Sequence, residues 1–262
     1  MEHNKADIER LYLSGAYLRN NPTLHCEDSA WKAKIICPFL DRFLAQHDAP
    51  QLKLLDVGGG AGLLLRMIAD YLTHKTGRSV VKCVLEYSTP MLEIQKGNNP
   101  DLACARQGSI EKTAFREKEF DLVLLIDVLE HLPDDRQAMR EIRRICNYAI
   151  IKIPLEDTLH FRLMNKLRRG APRRHAFESV GHVNCYSVGT YSKAIAESGG
   201  SIIFESFTNI FNYFLRHSSD RSPVVSWQYA KNSILARASQ VAPRLTARLA
   251  RDHVVMLVHF PC

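Results

Sequence analysis

The chain has 262 residues, 46% of them hydrophobic and 24% charged, with a formal net charge of +7. That make-up is ordinary for a globular protein of one large or two small domains. No apolar run approaches a membrane span, and the first ten residues lack the apolar core of a secretory signal. The seven cysteines form no Cys-x-x-Cys pair, which argues against a disulfide framework or a cysteine zinc site and for reduced thiols in a cytoplasmic protein.

In chain order, residues 1–50 read as helical, with Cys37–Leu44 leading into a first strand, Leu52–Val57. A helix follows over Leu63–Leu72. Ser79–Glu86 is a β-branched strand ending in an acid, and Pro90–Lys96 starts a short helix with proline in its first turn. Ala103–Gly108 is a short third strand. Phe120–Ile126 is a continuous apolar strand of the kind buried on both faces. Asp134–Ile145 is a helix and Tyr148–Ile153 another apolar strand. A helix near Thr190–Ser198, a strand near Ile202–Phe207, a long helical stretch near Val224–Ala250 and a strand over His253–Phe260 complete the series. Apolar strands alternating with helices imply a parallel sheet covered on both faces.

Residues 155–189 are too long for an ordinary connection and are expected to hold a basic amphipathic helix, Leu159–Arg169. Between Thr158 and Phe177 the chain carries Arg162, Lys166, Arg168, Arg169, Arg173 and Arg174 and no acid. Such a patch attracts phosphorylated substrates, nucleic acid or anionic lipid, or is a solvated helix face. A second basic group, Lys231, Arg237, Arg244, Arg248 and Arg251, reads as a solvated face.

The chemistry starts at residues 52–62, where an apolar strand ends in Asp56 and glycines follow at 58, 60 and 62. A strand, a glycine turn and a helix bring bare backbone to a ligand and aim a helix N-terminus at it. A dinucleotide fingerprint wants a small residue at position 63, which is Leu63, and no Gly-Lys-Ser/Thr of a P-loop follows. The stretch resembles the Asp-x-Gly-x-Gly-x-Gly motif of class I S-adenosylmethionine (SAM)-dependent methyltransferases. Glu86, with Ser88, Met91 and Leu92 after it, is similar to the acid-x-Ser-x-x-Met-Leu pattern of that family. Asp127 to Pro133 is similar to its Asp-x-x-x-His and Glu-His-Leu pattern. Residues 21–33 (Asn-Pro-Thr-Leu-His-Cys-Glu-Asp-Ser-Ala-Trp-Lys-Ala), Ile-Pro-Leu-Glu at 153–156 and Gly-His-Val-Asn-Cys-Tyr-Ser at 181–187 resemble a small-molecule bacterial branch, the methyltransferase domain 23 type.

The resemblance implies a Rossmann-like, doubly wound α/β fold with seven strands, mostly parallel, and an antiparallel last strand placed at the sheet edge. Residues 1–262 would form one domain: a helical lid over 1–50, a cofactor core over 52–154, a substrate wall over 155–189 and the rest of the sheet over 190–262. The cofactor would be SAM. Glu86 would accept both ribose hydroxyls, since one carboxylate suits two donors. Tyr87 and Met91 would pack on the adenosine with Ile110. Ser109 stands where the family often has an aspartate for the adenine amino group. Asp127 and Val128 would lie at the methionine end. Trp31 and Lys32 would close over the cofactor, Lys32 pairing with its carboxylate, or Trp31 would be plain core.

His131 and His182 are the candidate bases for a hydroxyl or amine nucleophile, with His25 a third. Either of the first two can instead be a positioning residue. The expected reaction is in-line methyl transfer to a small-molecule acceptor, most readily at oxygen. No metal-ligand cluster stands out. The Asn/Asp-Pro-Pro-Tyr/Phe motif of base methylation is missing, as is the cysteine needed for cytosine C5 chemistry. RNA or protein methylation and a non-catalytic SAM-binding partner remain as alternatives. The acceptor can be anionic or phosphorylated, and a peripheral membrane contact through Leu159–Arg169 is a further option.

Overall fold

A computed structural model describes residues 23, 24, 26–217 and 223–261. Residues 1–22 of the expected N-terminal lid, and His25, lie outside the described residues. The seven strands are β1 (Gln51–Val57), β2 (Ser79–Glu86), β3 (Cys104–Gln107), β4 (Phe120–Ile126), β5 (Cys146–Leu155), β6 (Ser201–Phe207) and β7 (Asp252–His259). They form one sheet in the order β3-β2-β1-β4-β5-β7-β6. The pairs from β3 to β5 are parallel, and β7 runs antiparallel to both of its neighbours. The last strand is therefore antiparallel, as expected, but it is not an edge. It is inserted between β5 and β6, so its buried run Val254–Val258 is covered on both sides and β6 takes the exposed margin.

Period-two alternation sorts the strand side chains onto two faces. Leu55, Val57, Val123, Leu125, Ile151 and Met256 point into one core, which α4 (Asp135–Ile145) and α7 (Val188–Glu197) cover. Leu52, Leu54, Leu122, Leu124, Ile150 and Leu257 point into the other, under α1 (Ser29–Leu44) and α2 (Leu63–Thr76). α3 (Thr89–Asn98) follows β2. Because both faces are covered, β4 and β5 can be almost continuously apolar, with Asp121, Asn147 and Lys152 as the exceptions.

Local chemistry explains where helices begin and break. Asp134 accepts from the Gln137 amide and caps α4, and Ser187 and Thr190 form a capping box on α7. The single basic helix expected over Leu159–Arg169 is instead two. α5 (Leu159–Leu167) stops before Gly170, whose φ of 80° ends the helical path, and α6 (Ala171–Val180) begins beyond it. After α8 (Ile210–His217), the long helical stretch is likewise divided into α9 (Pro223–Val241) and α10 (Pro243–Leu249), because Pro243 has no N–H to continue α9. Among the described residues no helix is long and apolar enough to cross a membrane.

Candidate active site

β1 lies between β2 and β4, so strand order reverses there and a crevice opens at the carboxyl ends of these strands. Gly58, Gly60 and Gly62 all adopt positive φ, at 62°, 58° and 76°, which L side chains rarely adopt. Gly62 starts α2, so the turn delivers its amides and the helix N-terminus to the crevice. Gly59 was not singled out from the sequence, yet it has the tightest position of the four. A Cβ there would lie 1.9 Å from Asp56 Oδ2.

Asp56 thus sits beneath the loop, 1% exposed, and neither carboxylate oxygen has a hydrogen-bond partner. Burial, with the nearby Glu86 charge adding to it, pushes its pKa up to about 7. It lies under the glycine turn and also lines the second cavity described below.

Beyond the loop lies a cleft of about 880 Å³ lined by Gly58, Gly60, Glu86, Tyr87, Met91 and Ser109, among others. Glu86 is buried at its wall. It accepts from the Ser88 amide at 3.0 Å and from Gln95 Nε2 at 3.1 Å. The Tyr87 amide bonds to it as well, so three donors already engage a carboxylate that has about four acceptor positions. Ile110 and Val128 are buried in the lining, and Val128 lies against Gly58. Ser109 faces the cleft, but its hydroxyl is engaged locally, accepting from the Glu111 amide at 3.1 Å. Glu111, in the same wall and missed from the sequence, is held by the Asp134 amide.

A second cavity of about 1110 Å³ meets the first along Gly58, Gly60, Met91, Asp127 and His131. Its centre is ionic. Asp127, at φ 58°, pairs with Lys32 at 3.1 Å and with Lys152. Lys32 is also 3.1 Å from Asp28. Burial opposes charge on Asp127, but Lys152 and Lys32 outweigh it and hold its carboxyl below the usual range. Burial likewise opposes charge on Lys32, but Asp127 and Asp28 raise its pKa. Lys32 is therefore already neutralised by two acids, where the sequence suggested a partner for the cofactor carboxylate.

Trp31 lines neither cavity. One residue along α1 is a turn of about 100°, so Trp31 faces Tyr213 instead, with ring centroids 4.9 Å apart, in a cluster with Ile210 and Phe211.

His131 and His182 come together in this second cavity, ring centroids 4.9 Å apart. His131 Nδ1 lies 3.2 Å from the Gly181 carbonyl, and His182 Nδ1 lies 2.9 Å from Glu156 Oε2. Oxygen can only accept in both bonds, so each Nδ1 carries a proton, and in the neutral ring Nε2 is the atom with the lone pair. Burial, and then the neighbouring His182, lower the His131 pKa to about 4. Glu156 also pairs with Arg251 at 2.7 Å. Burial works against the Glu156 charge, but His182 and Arg251 prevail and lower its pKa.

Lys152 and His253 are further cavity residues that the sequence reading passed over, and Glu130 and Glu156 are ones it quoted within motifs without giving them a site role. Lys152 was the one with a signal, a charge interrupting the apolar run Tyr-Ala-Ile-Ile-Lys-Ile.

A family model described as Methyltransferase domain matches residues 55–148, from β1 into β5. A comparison with curated protein sequences finds no match. Among solved structures, the chain is similar to geranyl diphosphate C-methyltransferase from Streptomyces coelicolor, bound to Mg2+, geranyl diphosphate and S-adenosyl-L-homocysteine. The TM-score is 0.59 at 13% identity, covering 98% of this chain and 90% of that one. A Galdieria sulphuraria protein described as a sarcosine dimethylglycine methyltransferase gives 0.57 at 16% identity, covering 89% and 87%. The cyclase SpnF gives 0.55 at 12% identity, covering 86% and 80%. At these identities the likeness is one of fold, and it is shared with proteins named for different reactions. The glycine cradle and the buried acid at the end of β2 fit the cofactor of the matched family. Residues 55–148 thus match the methyltransferase domain model in sequence, and the chain as a whole shares the Rossmann-like fold of these methyltransferases.

Proposed function

We propose that the enzyme transfers a methyl group from SAM to a hydroxyl of a small-molecule acceptor such as a sugar, a lipid-linked glycan or a secondary metabolite. The observation that carries this reading is the meeting of the two cavities at Asp127 and His131, with the paired imidazoles of His131 and His182 lining the second. On this reading Gly58, Gly60 and Gly62 present backbone to the cofactor and Glu86 holds its ribose. Tyr87, Met91, Ser109 and Ile110 enclose its adenosine. Asp127 and Val128, with the Lys32 ion pair behind them, bound its methionine end.

SAM supplies a sulfonium methyl with a good leaving group. The protein supplies alignment, exclusion of water and a proton acceptor. His182 is the better arranged acceptor, because Glu156 orients the ring and stabilises the imidazolium that forms. His131 stands beside it. Residues 155–189 wall the acceptor cavity, and α1 covers it as the described part of a lid within a single domain. The described cysteines are all free, in keeping with a reducing, cytoplasmic setting.

The test has two parts. Titration calorimetry should give micromolar binding of S-adenosylhomocysteine and none of NAD. A screen of hydroxylated sugars and metabolites with methyl-labelled SAM should then give an O-methylated product. Label on nitrogen or carbon alone would overturn the hydroxyl assignment, and no cofactor binding would overturn the whole reading.

One observation favours an acceptor presented at a lipid surface. Leu159, Leu163 and Leu167 are exposed along one face of α5, beside Arg162 and Lys166. An apolar stripe flanked by cations suits an anionic membrane. Sedimentation with anionic liposomes should carry the protein down, and Leu163→Asp should release it. Equal recovery in the supernatant with and without liposomes refutes this contact.

A further inference from the structure

Glu130, His131 and His182 each offer one ligand atom, and these atoms lie within 4.8 Å of one another. We infer that this trio is a binding site for a divalent first-row transition ion, with open coordination positions facing the acceptor cavity. The inference concerns the same cavity as the proposed methyl transfer and rests on that reading only for what the ion does, not for its binding.

Three features converge on a ligand. Glu130 is 1% exposed, its Oε2 has no hydrogen-bond partner, and it borders the second cavity. A buried carboxylate oxygen left unpaired costs about 1–3 kcal/mol, and a cation would remove that cost. Both rings are anchored through Nδ1, one on the Gly181 carbonyl and one on Glu156, which directs Nε2 of each to act as the ligand atom. A carboxylate or carbonyl behind a histidine is the usual support of a metal-binding imidazole. Finally, two imidazoles and one carboxylate are a donor set for zinc, cobalt, manganese or iron rather than for magnesium or calcium.

Bonds of about 2.1 Å around a tetrahedral ion put ligand atoms about 3.4 Å apart. The trio must therefore close by about 1.4 Å, within the reach of side-chain rotation. Three protein ligands leave at least one position open, and the cavity is where it opens. The acceptor class that fits is one that chelates through oxygen, such as a vicinal diol or a hydroxy acid. A hydroxyl on such an ion releases its proton to water more readily and keeps the electron pair on oxygen. In the loaded enzyme this replaces proton removal by His182.

The test uses the full chain, stripped with chelator. Co2+ is titrated by calorimetry and by visible absorption, and S-adenosylhomocysteine binding is measured on the same samples. One equivalent of Co2+ should bind, with visible ligand-field bands and no intense near-ultraviolet thiolate band. Glu130→Gln and His182→Gln should each weaken binding at least tenfold. Glu156→Gln should weaken it about 10- to 100-fold by freeing the ring it orients. All three should still bind S-adenosylhomocysteine, which shows that they are folded. No uptake of Co2+, uptake with thiolate absorption, or uptake unchanged by Glu130→Gln and His182→Gln would overturn the inference. Any of these with cofactor binding intact leaves the methyl-transfer reading standing. Co2+ uptake without cofactor binding removes that reading and leaves the metal site.

Discussion

Replacing Lys152 by methionine tests the ionic centre of the site. Lys152 is 1% exposed on β5, between the two cores, and its ammonium pairs with Asp127 at the end of β4. Removing one member of a buried pair typically costs about 3–5 kcal/mol, because the remaining charge is stranded. Here Asp127 keeps Lys32 at 3.1 Å, a contact worth about 5 kcal/mol in gross Coulomb energy at an effective dielectric near 20. About a quarter of the Asp127 side chain is also open to solvent. The expected loss is therefore smaller, about 2–3 kcal/mol at pH 7.

The pH dependence supplies a second check. The native pKa of Asp127 is depressed, so its contribution is present above the unfolded value of about 4 and fades as pH falls below it. The gap between wild type and Lys152→Met should narrow on the acid side. Adding Asp127→Asn should recover much of the loss, since both charges are then gone. Urea unfolding followed by tryptophan fluorescence, at pH 7 and near pH 3, measures all of this. A Lys152→Met protein within about 0.5 kcal/mol of wild type at pH 7 would show that the pair is not held as described.

Asp56 should behave in the opposite sense. Its native pKa is raised to about 7, so ligand-free stability should fall as pH rises from about 4 to 7. Asp56→Asn should flatten that fall and be more stable than wild type at pH 8, by a few kcal/mol. Unfolding curves across pH that stay parallel for the two proteins would contradict it. Gly59→Ala should abolish S-adenosylhomocysteine binding in calorimetry, because its Cβ would collide with Asp56 and force the loop to move; unchanged affinity would mean that the loop yields freely. Glu86→Ala should stay folded and lose at least tenfold in affinity, as hydrogen bonding to a charged group disappears, and full affinity would remove Glu86 from the ribose site. His131→Ala and His182→Ala should leave cofactor affinity within about twofold and slow turnover. Normal rates in both would place the acceptor elsewhere.

The elements of the cofactor half were legible because each is specified by its own residues. β1, its glycine turn and α2 follow one another within residues 51–76, and so do the end of β2 at Glu86 and the start of α3. An apolar run closed by an acid, glycines at alternate positions and helical spacing after them need no distant partner to be read. Elsewhere, neighbours that the local pattern does not contain decide where a side chain goes. Lys32 and Trp31 are adjacent and polar-aromatic in sequence. A step along α1 sends one to Asp127 and the other to Tyr213. Ser109 lines the cleft while its hydroxyl bonds within its own loop. β7 was expected at the sheet edge from the family resemblance, and pairing with β5 and β6 put it inside.

What the sequence determined by itself is the alternation of strand and helix, the two-sided burial of β4 and β5, and a loop that admits only glycines at three positive φ angles. These depend on steric limits and on periodicity, which are local. The tertiary structure alone decided the chemistry of the second cavity. Parallel pairing of β4 with β5 sets Asp127 beside Lys152, 25 residues away. The return of the chain through α6 sets Gly181 against His131, 50 residues away. Charges and imidazoles so far apart carry no pattern along the chain. Their electrostatics exist only once the sheet has excluded water between them and left them to satisfy one another.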